Sequence, residues 1–298
     1  MSNVDYCRLE GLIDRDVMKN AHVAVVGVGG ASSLVRNLAH VGLGAVTIID
    51  FDEVSTTNVA TQAYGLHQAG KLKVEALEAD IRAINPDTRV TTHAVKLQGL
   101  SESALLNVLN ADLLLAMTDN FYTQATLNKL AIRYEVDTLF SGGHEGCKAV
   151  EITGTFAESI ERGYGCHRCH IQPRYDAHAQ DIVESGVINS HIFQAEYRNA
   201  MLGTLALSVL HDQKRSPLGQ PHIARLFKRK PFLIGRIDPH YFKALMGPAD
   251  HNQLPTYGLF STKSFERQLT GSQSCPDCGT PPNRIGVQYP ASMEDSNV

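Results

Sequence analysis

The sequence predicts an α/β protein whose mainly parallel sheet carries helices on both faces. Three observations lead there. Apolar runs of strand length, at His22–Val26, Ala45–Ile49 and residues 111–117, alternate with stretches whose apolar residues recur at helical spacing. The first run ends in a glycine turn, Gly27-Val28-Gly29-Gly30, and the second ends at Asp50. The chain, at 298 residues, is long enough for one large core, or for a nucleotide-binding domain with an added lobe.

Taken in order, the first twenty residues are too polar to be core, and a solvated helix is expected there. After the glycine turn, Leu34, Leu38 and Val41 fall at i, i+4 and i+7, one face of a helix that leads into the second strand. Val74, Leu77, Ile81 and Ile84 mark the next helix, which Asn85-Pro86 closes. A strand is expected over 91–95, a polar helix over 101–110, and the buried strand 111–117. A helix bearing Leu127, Leu130 and Ala131 follows, then a strand over 136–141. Residues 149–156 alternate apolar and polar as a half-buried strand does. Residues 173–186, polar and rich in Asp and His, read as a mobile crossover. The longest helix is expected over 191–211, and a returning strand over 232–237. Beyond Gly279 the composition, rich in Pro, Asn and Ser, predicts disorder.

Strand, glycine turn, helix and second strand together form a Rossmann-like unit, in which glycine allows a tight turn and the helix N-terminus offers free N–H groups to a phosphate. Gly27, Gly29 and Gly30 are the candidate phosphate-facing positions. By itself the turn is also compatible with tight packing, since Ser32 stands where the dinucleotide pattern has its third glycine. Asp50 suits the ribose of NAD or of ATP. Asp119, after the strand 111–117, sits where doubly wound sheets bind ligands. Asp119 or Asn120 could instead cap the following helix.

Four of the six cysteines form two C-x-x-C pairs, Cys166/Cys169 and Cys275/Cys278. Four thiolates make a closed tetrahedral set of the kind that holds structural Zn²⁺. Here the ion would clamp a distant C-terminal lobe onto the main body. His167 and His170 are alternative ligands, and a redox C-x-x-C is the competing reading. Without a disulfide framework, and with Asp5, Arg8 and Glu10 charging the N-terminus, a cytoplasmic protein is expected. A net charge of −4 gives no nucleic-acid footprint. The apolar stretch 200–210 is too short to cross a membrane.

The run Asp50-Phe51-Asp52-Glu53-Val54-Ser55, followed by Asn58 and Gln62, resembles the D-x-D-x-V-x-x-x-N-x-x-R-Q signature of the ThiF/MoeB/HesA superfamily, relatives of the ubiquitin-activating enzymes. Gly70…Lys73 resembles the family's G-x-x-K, Thr118-Asp119-Asn120 its T-D-N, and Tyr6-Cys7-Arg8 its Tyr-x-Arg. The resemblance implies an ATP-dependent adenylyltransferase. Its substrate would be the C-terminal carboxylate of a small ubiquitin-like or sulfur-carrier protein. Asp50 and Asp52 would then belong to the nucleotide site, with Asn58, Gln62 and Lys73 on the phosphates and Asp119 on Mg²⁺. Arg8 would reach into the neighbouring subunit's site, so a homodimer is implied. Relatives that go on to a thioester carry a cysteine where this chain has Ile182, so the reaction is expected to stop at the acyl-adenylate. One departure is Thr61, where the family has an arginine on the phosphates. It leaves open a weakened nucleotide-binding scaffold, or a relative acting on tRNA or on a small-molecule carboxylate. Arg36, Lys71 and Arg8 are the cations considered as substitutes. The expected organisation is an ATP-binding core with its N-terminal arm over 1–165, a zinc-clamped crossover, helix and lobe over 166–285, and a tail over 286–298.

Overall fold

The computed structural model describes residues 4–144, 148–180, 190–237, 262–264 and 274–279. The expected tail over 286–298 and Ile182 lie outside the described residues. One eight-stranded sheet runs through the chain: β1 (His22–Val26), β2 (Ala45–Ile49), β3 (Arg89–His93), β4 (Leu113–Ala116), β5 (Thr138–Gly143), β6 (Ala149–Thr155), β7 (Phe232–Arg236) and β8 (Thr262–Ser264). Their spatial order is β3-β2-β1-β4-β5-β6-β7-β8. The first five strands in that order pair in parallel, and β6, β7 and β8 continue the sheet antiparallel.

Helices cover both faces, as the sequence predicts. On one face Val23 and Val25 of β1 and Leu113 and Leu115 of β4 pack against α1 (Arg15–Asn20), α2 (Ser32–His40) and α3 (Lys73–Ile84). On the other, Ala24, Val26, Leu114 and Ala116 meet α4 (Glu102–Leu109) and α5 (Phe121–Tyr134). The alternation follows from the period of two in a strand, and both sets are apolar because both faces are buried. Beyond lie α6 (Ala157–Glu161), α7 (His167–His170), α8 (Gln172–Ala179), α9 (Ile192–Gln213) and α10 (Pro221–Arg229). Leu202, Leu205 and Val209 of α9 and Phe227 of α10 join the first face's core.

Four expectations need correction. The N-terminal arm is not wholly solvated: α1 buries Val17 and Met18 in the core, and Asp14 caps it by accepting from Val17 N at 3.3 Å. Strand β3 lies two residues earlier than expected, because its register is fixed by pairing Ala45 with Arg89. Strand β6 is buried along its whole length, since the sheet continues past it into β7 and both its faces are covered. The polar stretch from 173 is helical to Ala179. Pro173 stands in the first turn of α8, where its fixed φ favours a helix start, and Phe121 stacks on His178 at 3.8 Å between ring centroids. Residues 181–189 lie outside the described residues.

The topology fixes where a ligand can sit. From β1 the chain winds outward through β2 to β3, then returns to place β4 on the other side of β1. The C-terminal ends of β1 and β4 therefore open onto the crevice where strand order reverses, the place where doubly wound sheets bind ligands.

Candidate functional site

At that crevice the glycine turn after β1 meets the end of β4. Gly27 adopts φ +87°, and a Cβ there would lie 2.8 Å from the Thr118 nitrogen. Only glycine combines this backbone with that approach. Asp50, buried at the end of β2, holds the turn with one oxygen and its own loop with the other: Oδ2 accepts from Val28 N at 2.8 Å and Oδ1 from Asp52 N at 2.9 Å. The Tyr64 hydroxyl donates to Val28 O at 2.9 Å, and Ala63 N donates to Ser32 Oγ at 3.1 Å. Burial and the nearby Asp50 carboxylate push the Tyr64 phenol far above its usual range, so it remains a donor. Residues 58–64 are thus fastened across the turn.

Within that segment Asn58 closes a capping box, its Oδ1 accepting from Ser55 N at 2.9 Å. The Gln62 amide lies against Gly29, 3.1 Å from where a Cβ would stand, and its Oε1 is enclosed without a hydrogen-bond partner among the described residues. Lys73, the first residue of α3, is buried and its Nζ reaches Asp52 Oδ2 at 2.8 Å. Gly30 faces Arg198 of α9, whose Nη2 occupies the place of a Cβ. The glycines therefore admit close approach of this chain's own groups: a strand end, an amide and a guanidinium.

Between Asp119 and Asn120, the cap is Asn120: its Oδ1 accepts from Thr123 N at 2.9 Å. Asp119 is left exposed at the end of β4, with no partner among the described residues. Gln124 locks the turn behind it, donating to Thr118 O at 2.7 Å. Arg8 is exposed on the turn Cys7–Leu9 and joins none of these groups. Of the cations considered as substitutes for the family arginine, Arg36 pairs with Asp80, Nε to Oδ2 at 2.9 Å, and donates to Ala63 O. Lys71 is exposed. Thr61 itself turns back to its own segment, Oγ1 to Asn58 O at 3.5 Å.

The four paired cysteines converge away from the crevice, their Sγ atoms all within 4.8 Å of one another and the residues buried. Neighbouring sulfurs stand 4.0 Å apart in Cys166/Cys169 and Cys166/Cys275 and 3.5 Å in Cys169/Cys278. Tetrahedral zinc at about 2.3 Å from each sulfur sets an edge of about 3.8 Å, so the cage could hold that ion. His167 is not part of it. Its Nδ1 bonds Thr153 Oγ1 at 2.6 Å and its ring stacks on Phe140, where burial pulls its pKa down to about 3.

A feature the sequence reading missed ties this cage to the sheet. Asn128 of α5 is wholly buried, donates to Asp277 Oδ2 at 2.8 Å and accepts from Thr155 Oγ1 at 2.7 Å. Arg168 holds the other Asp277 oxygen at 3.0 Å. Asn128→Ala is expected to destabilise the fold by about 1–3 kcal/mol, the cost of leaving buried partners unsatisfied. Urea unfolding checks this, and an unchanged midpoint would remove Asn128 from the linkage.

Comparison with known proteins follows the same outline. The model of the ThiF family matches residues 6–235. Ubiquitin-like modifier-activating enzyme 5 of Drosophila virilis is 30% identical over 149 residues, covering 46% of this chain and 37% of that protein. The tRNA threonylcarbamoyladenosine dehydratase of Haemophilus influenzae is 31% identical over 131 residues, covering 43% and 50%. The crystal structure of E. coli MccB with ATP overlays at TM-score 0.55 and 20% identity, over 69% of this chain and 60% of that one, a likeness of fold. The matched stretches span half or less of either curated relative.

Proposed function

The chain belongs to the ThiF family, and on that premise we propose that it is an ATP-dependent adenylyltransferase. Its substrate in this reading is the C-terminal carboxylate of a small ubiquitin-like or sulfur-carrier protein. The observation that carries the proposal is the free carboxylate of Asp119 at the switch crevice, one strand from a glycine turn that Asp50 holds in place. The reaction needs no general base, because a carboxylate is ionised at neutral pH. Its oxygen attacks the α-phosphorus, the bond to the β-phosphate oxygen breaks, and pyrophosphate leaves with the electron pair.

This chain's residues would then orient and neutralise. Asp50 keeps its remaining lone pairs for the ribose hydroxyls, and Asn58, Gln62 and Lys73 face the phosphates. A lone exposed carboxylate fits magnesium, which takes one or two carboxylates plus phosphate oxygens and would supply charge neutralisation there. Arg8, with no partner in its own subunit among the described residues, suits a neighbouring subunit's site, and we assign the working unit to a homodimer. The cysteine cage is assigned to structural zinc. No described helix is long and apolar enough to cross a membrane.

Lys73→Met is expected to raise the KM for ATP about tenfold or more, the worth of one charged hydrogen bond, while the fold tolerates the loss of a pairing with the half-exposed Asp52. Steady-state kinetics check it; an unchanged KM would leave Lys73 as a purely structural partner of Asp52. Pyrophosphate exchange into ATP tests the whole reading. It should be stimulated by a small protein ending in Gly-Gly. Stimulation by tRNA alone would favour the second reading, motivated by the dehydratase relative.

A further inference from the structure

Among the described residues, Arg198 is a cation at the glycine turn to which the proposed reaction gives no task. Its Nε and Nη2 are enclosed and have no hydrogen-bond partner among the described residues. Nη2 lies where Gly30 would carry a Cβ. The neighbouring Asn199 fixes α9 against the turn, donating to Gly30 O at 2.7 Å and to Ser33 Oγ at 2.8 Å. Farther up α9, Gln194 donates to His144 O at 3.2 Å, beyond the end of β5, so this helix begins at the ligand-binding edge of the sheet.

A guanidinium buried away from a paired counter-charge is costly, and among the described residues no carboxylate hydrogen-bonds its Nε or Nη2, Glu196 acting on it only through space. Burial pulls its pKa down to about 10, which still leaves it charged at neutral pH. Beside it, α2 starts at Ala31 with no side chain capping it. Its free N–H groups and positive dipole end make the same spot attractive to an anion. Among the described residues, Arg36 nearby pairs with Asp80, and Lys73, which the proposed reaction already uses, pairs with Asp52.

Resting on the adenylyltransferase reading, we propose that Arg198 binds a phosphate of ATP from the α9 side of the glycine turn, supplying the charge that Thr61 omits. The arginine has in effect moved from the segment over the turn to the helix behind it. The enzyme is then not a weakened one: the cation is present, from a different part of the chain. A side chain at position 30 would displace the guanidinium from its place beside the turn. In chemical terms Arg198 is a binding residue for a nucleoside triphosphate, acting on the phosphates and not on the base or sugar.

Equilibrium dialysis of the whole chain with labelled ATP in MgCl₂, and separately with labelled adenosine, tests this on wild type, Arg198→Met and Arg198→Lys. Arg198→Met should weaken ATP about ten- to a hundredfold, the scale of losing a charge-assisted hydrogen bond, and leave adenosine unchanged. Arg198→Lys should recover part of the ATP affinity. Thr61→Arg should gain little in the wild type and restore ATP binding to Arg198→Met. If wild type fails to bind ATP, the adenylyltransferase reading falls first. If wild type binds and Arg198→Met binds ATP equally well, the inference alone is overturned. It is likewise overturned if ATP and adenosine weaken together, which marks a structural role.

Discussion

Asp119→Ala is expected to lower pyrophosphate exchange into ATP by about a hundredfold or more, with the fold and the cysteine cage intact. The magnitude is that of removing one preorganised electrostatic contact to developing charge. The fold should survive because Asp119 is exposed, and because Asn120 caps α5 and Gln124 holds the turn. Asp119→Asn keeps the shape and removes the charge, and should behave alike. Exchange within about threefold of wild type, a loss of only about 0.65 kcal/mol, would mean that the carboxylate has no part in neutralising the phosphates.

The largest stability effect is expected at the cysteine cage. Metal analysis should find one zinc per chain, and Cys275→Ser should lose it together with thermal stability. Structural zinc can contribute on the order of 10 kcal/mol to folding. Part of that should remain in the variant, because Asn128 and Arg168 still hold Asp277 to the body of the protein. Chelation of the wild type by a zinc-selective chelator should move the melting temperature the same way. A metal-free protein that melts no lower would leave the four thiols as an apolar cluster beside Ile132 and Ile160.

How much of this could be read from the sequence differs by element. Strands β1 and β2 match the expected residues, since each is a mostly apolar run ended by a glycine or an aspartate. The four cysteines were legible from spacing alone, because C-x-x-C fixes two ligands on one turn whatever surrounds it. Helix α8 was not legible. Its composition is polar, and what orders it is tertiary: Tyr175 is buried, and Arg174 reaches Glu151 at 2.8 Å. Burial alone would raise the Glu151 pKa, yet Arg174 and His144 hold it down to about 2, so that pairing persists across ordinary pH.

The glycine turn, Asp50 and Asp119 could be placed at the crevice from the sequence because strand ends and glycine turns are local signals. The place of Arg198 beside the turn was not legible because it lies in a 22-residue helix whose leucine spacing reads as core. The available signal was a lone arginine ahead of Leu202, Leu205 and Val209 on a helix otherwise committed to packing. Its meaning depends on Gly30, 168 positions earlier, and no pattern within one helix carries that. The choice between Asp119 and Asn120 as helix cap was open for a similar reason: both residue types cap, and only the bond to Thr123 N decides.

Calorimetric titration of the whole chain with ATP in MgCl₂, set beside the same titration with NAD, tests the central claim most directly. Saturable binding of ATP at one site per chain is predicted, in the range of about 1 µM to 1 mM usual for enzyme substrates, competed by pyrophosphate and not by NAD. A chain that binds NAD in preference, or that takes up no ATP in that range, would contradict the account.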